Sequence, residues 1–272
     1  MRRASVALLA LLLAASVAAC SGGRKATPES AAAPTGTAAA TIGTAAQPSP
    51  APSRPSRLPR GGEPVHLDPA HFTAQIDNPY WPMAPGSRWV YRETDAQGND
   101  QRIQVTVTRT TKKILGIDAR VVHDVATTNG QVQEDTYDWY AQDDQGNIWY
   151  MGEDTKEYQS GKVTSTEGSW QGGVDGAQPG ILVPAHPNPG LAYRQEYYKG
   201  QAEDGAQVLS LGRKAKVPYG MFDHVLITKE FTPLEPGVVE HKFYAPRVGP
   251  VLAITVSGGS SREELVEFRQ AG

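Results

Sequence analysis

The chain has 272 residues, a formal charge of −3 and 39% apolar content, with 28 glycines, 21 prolines and a single cysteine. One cysteine rules out an internal disulfide, and the acidic balance argues against nucleic acid as a partner. In chain order, Arg2 and Arg3 come first, followed by a short Ala/Leu run from Ala7 to Ala15. That run is too short to span a bilayer and small residues follow it, so residues 1–19 read as a secretion signal.

The signal ends in Val17-Ala-Ala-Cys20. This stretch resembles the lipobox of bacterial lipoproteins, where the chain is cut just before the cysteine and the thiol is diacylated. The resemblance implies that Cys20 is the mature N-terminus, carries acyl groups such as palmitate, and anchors the protein on the extracytoplasmic side of the cell membrane. Two or three acyl chains hold firmly where one holds marginally, at about 0.8 kcal/mol per buried CH₂. Lipidation also accounts for an unpaired thiol outside the cytoplasm. No second apolar stretch has spanning length, so no transmembrane helix is expected.

Residues 20–62 are rich in Ala, Pro, Ser and Thr, with Ile42 and Leu58 as the large aliphatic exceptions. Such a segment buries too little surface to offset its chain entropy and is predicted to be a disordered tether. Arg24, Lys25, Arg54, Arg57 and Arg60 outnumber Glu29 within it, whereas from Glu63 onward 28 acidic residues face 19 basic ones. The acidic excess is read mainly as an aid to solubility.

Residues 63–272 are long enough for one domain with a sizeable core. Runs that alternate with period two, rich in Val, Thr, Tyr and Trp, predict strands near 87–94, 101–112, 118–127, 131–142, 147–152, 156–166, 192–202, 205–217, 222–232, 237–245, 249–257 and 261–269. Their hairpin-length connections predict an all-β fold: an antiparallel, strongly curved meander, half-barrel or barrel-like. A helical turn around Pro69 to Gln75 is the one helix candidate. Asp95-Ala-Gln-Gly-Asn99 and Asp143-Asp-Gln-Gly-Asn147 share one pattern, which reads as a hairpin loop. Its acidic residues are not spaced as a calcium loop requires.

If Asp143 pairs with Asn147, Tyr140 faces Tyr150, and Trp139 and Trp149 share the opposite face. Aromatic residues on both faces require that both be covered, by a second layer, an apolar ligand or a partner. Glu167 to Gly190 interrupts the meander with six glycines and four prolines around Ile181, Leu182 and Val183. It reads either as a lid over an apolar groove or as a loop plugging the core. The candidate ligand contacts are therefore Trp139, Trp149, Ile181, Leu182 and Val183.

No nucleophile elbow, zincin motif or phosphate loop occurs. The six histidines are scattered without ligand spacing, so no metal or cofactor is expected. Glu134, Asp135, Asp138, Glu153, Asp154 and Glu157 could pair across strands as acid and base, but alternating charge on a solvent face looks the same and is the preferred reading.

The segment from Asp77-Asn-Pro-Tyr-Trp-Pro-Met-Ala-Pro-Gly86 into Tyr91, and the closing Tyr244-Ala-Pro-Arg-Val-Gly249, resemble segments of secreted and lipoprotein-type bacterial proteins to which no activity is assigned. The overall composition suits a high-GC actinobacterium. The resemblance implies a β meander and nothing about chemistry. Three functions compete. The first is a non-enzymatic, lipid-anchored envelope protein binding an apolar or lipid-like ligand. The second is an envelope interaction module without a small ligand. The third is a carboxylate-dependent hydrolase. A cavity lined by Trp139 and Trp149 would favour the first, an exposed aromatic patch the second, and convergent buried carboxylates in a cleft the third.

Overall fold

The computed structural model describes residues 57–271. The signal, Cys20 and the tether up to residue 56 lie outside the described residues. What is described is all-β: one antiparallel sheet of 16 strands. The strands are β1 (Phe72–Thr73), β2 (Arg88–Thr94), β3 (Asp100–Ile114), β4 (Ile117–Thr128), β5 (Gln131–Asp143), β6 (Ile148–Gln159), β7 (Lys162–Ser165), β8 (Trp170–Gln171), β9 (Gln178–Val183), β10 (Ala192–Arg194), β11 (Glu196–Tyr197), β12 (Gly205–Val217), β13 (Gly220–Phe231), β14 (Val239–Ala245), β15 (Gly249–Ser257) and β16 (Arg262–Arg269).

Strands β12 to β16 run as a meander, then β16 pairs with β2, and β2 to β6 run as a second meander. The first long strand, β2, and the last strand, β16, thus meet in mid-sheet. The connections are tight. Asn129-Gly130, both at positive φ, link Thr128 to its partner Gln131, as a two-residue hairpin turn requires. The two five-residue repeats fold alike. Asp95 Oδ1 accepts from the Gln97 and Asn99 amides, and Asp143 Oδ1 from those of Gln145 and Asn147.

The sheet curls into a nearly closed barrel, and its two end strands are consecutive in the chain. β10 pairs with β12, and β11, one residue farther on, pairs with β9, which in turn pairs with β6. Residues 192–197 therefore join the two ends of the sheet. Gly180 makes the seam possible, because a Cβ there would lie 2.4 Å from the Gln195 carbonyl oxygen. Arg194 locks it. Its guanidinium donates to the Pro179 carbonyl at 2.8 Å and to the carbonyls of Gly61 and Glu63, tying residues 59–63 across the seam.

Several expectations need correction here. The stretch from Glu167 to Gly190 is not an open loop, since it contains β8 and β9. Ile181, Leu182 and Val183 are wall residues, buried in β9 beside β6. The interruption expected between 152 and 156 is absent, so β6 is continuous. The helical turn is a single 3₁₀ turn, Pro69–His71, capped by Asp68.

Candidate functional site

The barrel interior follows from period-two alternation, and its two ends differ in chemistry. At one end the inward residues are aromatic. Tyr140 stacks on Tyr150 with ring centroids 5.1 Å apart, as the Asp143 register requires. Trp81, from the segment before β2, packs on Trp89, Tyr140 and Tyr244. It thereby touches β2, β5 and β14, which are far apart in the sheet, and forms the barrel floor.

Farther along the same strands the inward residues are acidic. Asp138 and Glu153 are cross-strand partners on β5 and β6, each 2% exposed. Tyr150 Oη donates to Asp138 Oδ1 at 2.8 Å. Neither oxygen of Glu153 has a hydrogen-bond partner among the described residues. Glu196 on β11 is also buried. Its carboxyl hydrogen-bonds that of Asp204, which the Thr232 hydroxyl also contacts. Trp170, the cross-strand neighbour of Glu153, sets its indole edge-on to Tyr150 at 5.3 Å and brings its buried Nε1 to the Glu196 carboxyl. Burial pushes the carboxyls of Glu153 and Glu196 well above the carboxylate range, with the Glu196 charge adding to the rise of Glu153 and the Asp204 charge to that of Glu196. Asp138 and Asp204 are raised by the same burial, against hydrogen bonds from Tyr150 and Thr232 respectively.

A second set of acids lines the facing wall. Glu230 and Glu240 are cross-strand partners, as are Glu263 and Glu93. Lys242 serves this wall, with its Nζ 2.7 Å from Glu230 and 4.0 Å from Glu240. Burial opposes its charge, but the Glu230 and Glu240 carboxylates prevail and raise its pKa. Tyr244 and Thr228 hydroxyls donate to the same Glu230 oxygen. Glu93 is pushed up to about 8, by burial first and the Glu240 charge second. Between the two walls, Glu134 is raised to about 7, chiefly by burial.

The acidic end opens to solvent. A cleft of about 390 Å³ is lined by the acids Glu196, Glu203 and Asp204, the bases Arg60, Arg194 and Lys229, and Tyr197 and Phe231. That volume suits a small molecule, for which sites of roughly 300–1,000 Å³ are usual.

The preferred reading of the named carboxylates is overturned. Glu134, Asp138 and Glu153 do not lie on a solvent face; all three are buried inside the barrel. Their chain neighbours do face out, where Asp135 meets His123 at 3.1 Å and Asp154 meets Lys156 at 3.1 Å. The five candidate ligand contacts lie elsewhere. Trp149 opposes Ile181, donates from Nε1 to Asp143 Oδ2 at 2.8 Å, and packs edge-on against Phe72 of β1. Trp139 lies under the Lys112 ammonium, 3.2 Å from its ring centroid. Neither Trp139 nor Trp149, nor any of Ile181, Leu182 and Val183, lines the acidic cleft.

Glu196, Asp204, Glu230, Glu240 and Lys242 were not singled out from the sequence. A signal existed for the last two, because Glu240 and Lys242 share parity with Tyr244, and Glu93 shares it with Trp89 and Tyr91. An acid in step with large aromatics on one strand faces the same interior. Glu196 and Asp204 lie where alternation is broken, and no comparable signal marks them.

No protein-family profile and no curated protein matches the sequence. Two solved structures are similar. One is a Bacteroides fragilis protein described as exported and as having a YmcC-like fold, at 14% identity and a TM-score of 0.42, over 70% of this chain and 98% of that one. The other is a Parabacteroides distasonis protein described as a lipoprotein, at 15% identity and a TM-score of 0.42, over 72% and 100%. Neither likeness bears on the chemistry of the cleft.

Proposed function

We propose that this is a lipid-anchored protein of the cell envelope, held outside the membrane by Cys20, that binds a small polar ligand at the acidic mouth of its barrel. The anchoring rests on the Val17-Ala-Ala-Cys20 resemblance. The binding rests on one observation: Glu153, 2% exposed, has two carboxyl oxygens without partners among the described residues, and Glu196, whose charge reaches it, lines an open cleft. A buried polar group is normally hydrogen-bonded, and leaving one unpaired costs about 1–3 kcal/mol. Such a cost is retained where a ligand repays it. The carboxylates also argue against the apolar ligand first expected, because an acyl chain would displace water from them without replacing its hydrogen bonds.

Carboxylate-dependent hydrolysis is the second reading, and the hydrogen-bonded Glu196–Asp204 pair in an open cleft favours it. Such a pair can divide acid and base roles. Binding is preferred because the mouth holds many more acids than the two such a reaction uses. Native mass spectrometry of protein purified from its own envelope tests the binding. A co-purifying small molecule that is lost in Glu196→Gln supports the reading. An unliganded mass in wild type, with turnover of chromogenic glycosides abolished by Glu196→Gln and Asp204→Asn, supports hydrolysis instead. Cys20→Ala should release the protein or stall its processing, and an unmodified chain cut elsewhere would refute the anchor.

A further inference from the structure

The end of the barrel opposite the cleft carries a different surface. Gly205, at the start of β12, lines the cleft, so the far end of β12 and its turn into β13 lie on the floor side. β2 begins there too, with Arg88 next to the floor residue Trp89. Arg88 and Arg269 are direct cross-strand partners on β2 and β16. Like charges placed opposite each other in a sheet destabilise it. Arg109 of β3 joins them around a hollow of about 460 Å³, which Thr106 and Gln270 also line. Glu267 pairs with Arg88. Among the described residues, the side chains of Arg109 and Arg269 meet no carboxylate and make no hydrogen bond.

The β12–β13 turn is fixed beside this hollow. The Tyr219 amide donates to the Leu265 carbonyl of β16 at 3.0 Å, and the Tyr219 ring sits edge-on to Phe268, the residue before Arg269, at 6.3 Å. Around the turn the chain reads Arg213-Lys-Ala-Lys216, then Val217-Pro-Tyr-Gly-Met221. Val217 is buried, but Tyr219 is 43% exposed and Met221 66%, the most exposed large apolar side chain among the described residues. Lys214 pairs with Asp223, whereas Lys216 has no carboxylate partner among the described residues. Exposed aromatic and aliphatic groups beside Lys and Arg suit a bilayer interface. The apolar groups enter the headgroup boundary, and the long cationic side chains reach lipid phosphate.

We infer that the floor end of the barrel docks on an anionic lipid bilayer, with Tyr219 and Met221 at the headgroup boundary and Arg109, Lys216 and Arg269 against lipid phosphates. Two observations name this occupant. The first is charge. From Glu63 onward 28 acidic residues face 19 basic ones, yet three cations without carboxylate partners gather at this end. A negatively charged surface therefore draws the floor toward it and repels the rest of the domain. The second is chain length. Residues 20–56 separate Cys20 from the described chain and can span up to roughly 120 Å when extended. An anchored domain can thus lay either end on the membrane, and charge selects the floor. The inference rests on the envelope placement proposed above. Docked this way, the cleft faces away from the bilayer, open to molecules diffusing in the envelope.

The test uses the mature chain from residue 20 onward with Cys20→Ser, which removes the acyl anchor and the one cysteine. Docking is then read apart from anchoring. An environment-sensitive fluorophore is attached at Met221→Cys or, toward the acidic end, at Val163→Cys, a 49% exposed position on β7. Vesicles of phosphatidylcholine, with or without one-third phosphatidylglycerol, are titrated in at physiological salt, where charges farther than about 8 Å from the surface are screened. The Met221 label should shift to the blue on anionic vesicles and much less on neutral ones, and the Val163 label should not shift. Lys216→Ala and Arg269→Ala should each weaken vesicle binding about fivefold, ~1 kcal/mol, with unchanged melting temperatures. Lys162→Ala, next to Val163, should change nothing. A Met221 label that stays silent up to millimolar anionic lipid would overturn the inference, and the anchor would still stand if Cys20→Ala released the protein from membranes. A shift at Val163 instead would turn the acidic end to the membrane and refute the floor as the docking face. Equal losses from Lys162→Ala and Lys216→Ala would refute any particular face. A blue shift at Met221 without vesicles, together with a dimer in sedimentation, would assign the face to a second copy of the chain.

Discussion

At the barrel floor Trp81 lies against Trp89, Tyr140 and Tyr244, and two to four residues farther along the same strands the inward positions are Glu93, Asp138, Lys242 and Glu240. One alternation sets both ends, so backbone pairing does not distinguish them. Their energetics do. The floor gains from each ring it buries, about 25 cal/mol per Å² of apolar surface, with a further increment for aromatic pairing. The mouth buries carboxyls against their hydration and against one another, with Lys242 as its internal cation. The floor therefore contributes stability, and the mouth draws on it.

The largest expected effect comes from opening the floor. Trp81 is 1% exposed and bridges three separate strands. Trp81→Ala should destabilise the domain by about 3–5 kcal/mol, through lost transfer energy plus the cavity left behind. Urea unfolding followed by circular dichroism measures it. A loss under about 1 kcal/mol would mean that the segment around Trp81 is not the floor and that the barrel is held by its strands alone.

The second effect is a pH dependence of unusual sign. Glu93 is raised to about 8 and Glu134 to about 7, while Asp138, Glu153, Glu196 and Glu263 are also raised, all of them chiefly by burial. In the unfolded chain these groups titrate near 4. Between about pH 4 and pH 8 the native state then binds more protons than the unfolded state, so stability falls as pH rises. The contribution is complete below the unfolded value and is lost as each folded value is passed. Lys242 keeps its charge throughout this window and does not alter the sign. Thermal melts should give a higher melting temperature at pH 5 than at pH 8, and a flat or rising profile would show that the mouth is ionised and compensated.

The contrast between ends also explains what could be read from the sequence. The long strands β2 to β5 and β12 to β16 were legible to within a few residues, because Val, Thr, Tyr and Trp recur with period two and the turns carry Gly, Asn and Asp, whereas β6 was split and β8 and β9 were read as loop. The Tyr140–Tyr150 stack followed from one hairpin, Asp143 to Asn147. The acidic mouth was not legible, because Glu134, Asp138 and Glu153 were assigned to solvent by their charge, although Asp138 shares parity with Tyr140. Closure was hidden for another reason. β9, β10 and β11 are short, Pro179 and Gly180 interrupt any apolar pattern, and pairing between residues 178–179 and 196–197 is set by tertiary contact rather than by local preference. The outward Trp139 and Trp149 were placed on the correct shared face, but the segment carrying Phe72 is part of what covers that face, and nothing local to either tryptophan announces it.

Removing one unpaired acid should sharpen the comparison further. Glu153→Gln keeps the shape and removes a charge that burial disfavours, so the variant should melt roughly 2–4 °C higher than wild type at pH 8, about 1 kcal/mol for a domain of this size. At pH 5 the difference should narrow, because burial raises the wild-type carboxyl and favours its neutral form as pH falls. A variant less stable at both pH values would mean that Glu153 is held by partners it needs, and the mouth would then be a structural network rather than a binding site.

The smallest effect separates the ends within a single hairpin. β5 and β6 carry both the floor pair, Tyr140 and Tyr150, and the mouth pair, Asp138 and Glu153, and the Asp143 turn closes the floor side. Asp143 accepts from the amides of Gln145 and Asn147, from Asn147 Nδ2 and from Trp149 Nε1. Asp95 makes the equivalent turn bonds to Gln97 and Asn99 without a buried tryptophan. Asp143→Ala should therefore cost more than Asp95→Ala, about 1–2 kcal/mol against less than about 1. Because Asp143 lies on the floor side, its loss should lower the whole stability curve without changing its slope between pH 5 and pH 8, whereas Glu153→Gln should flatten that slope. If Asp143→Ala changed the slope as well, the hairpin would be transmitting strain from the turn to the acids, and the two ends could not be treated as energetically separate.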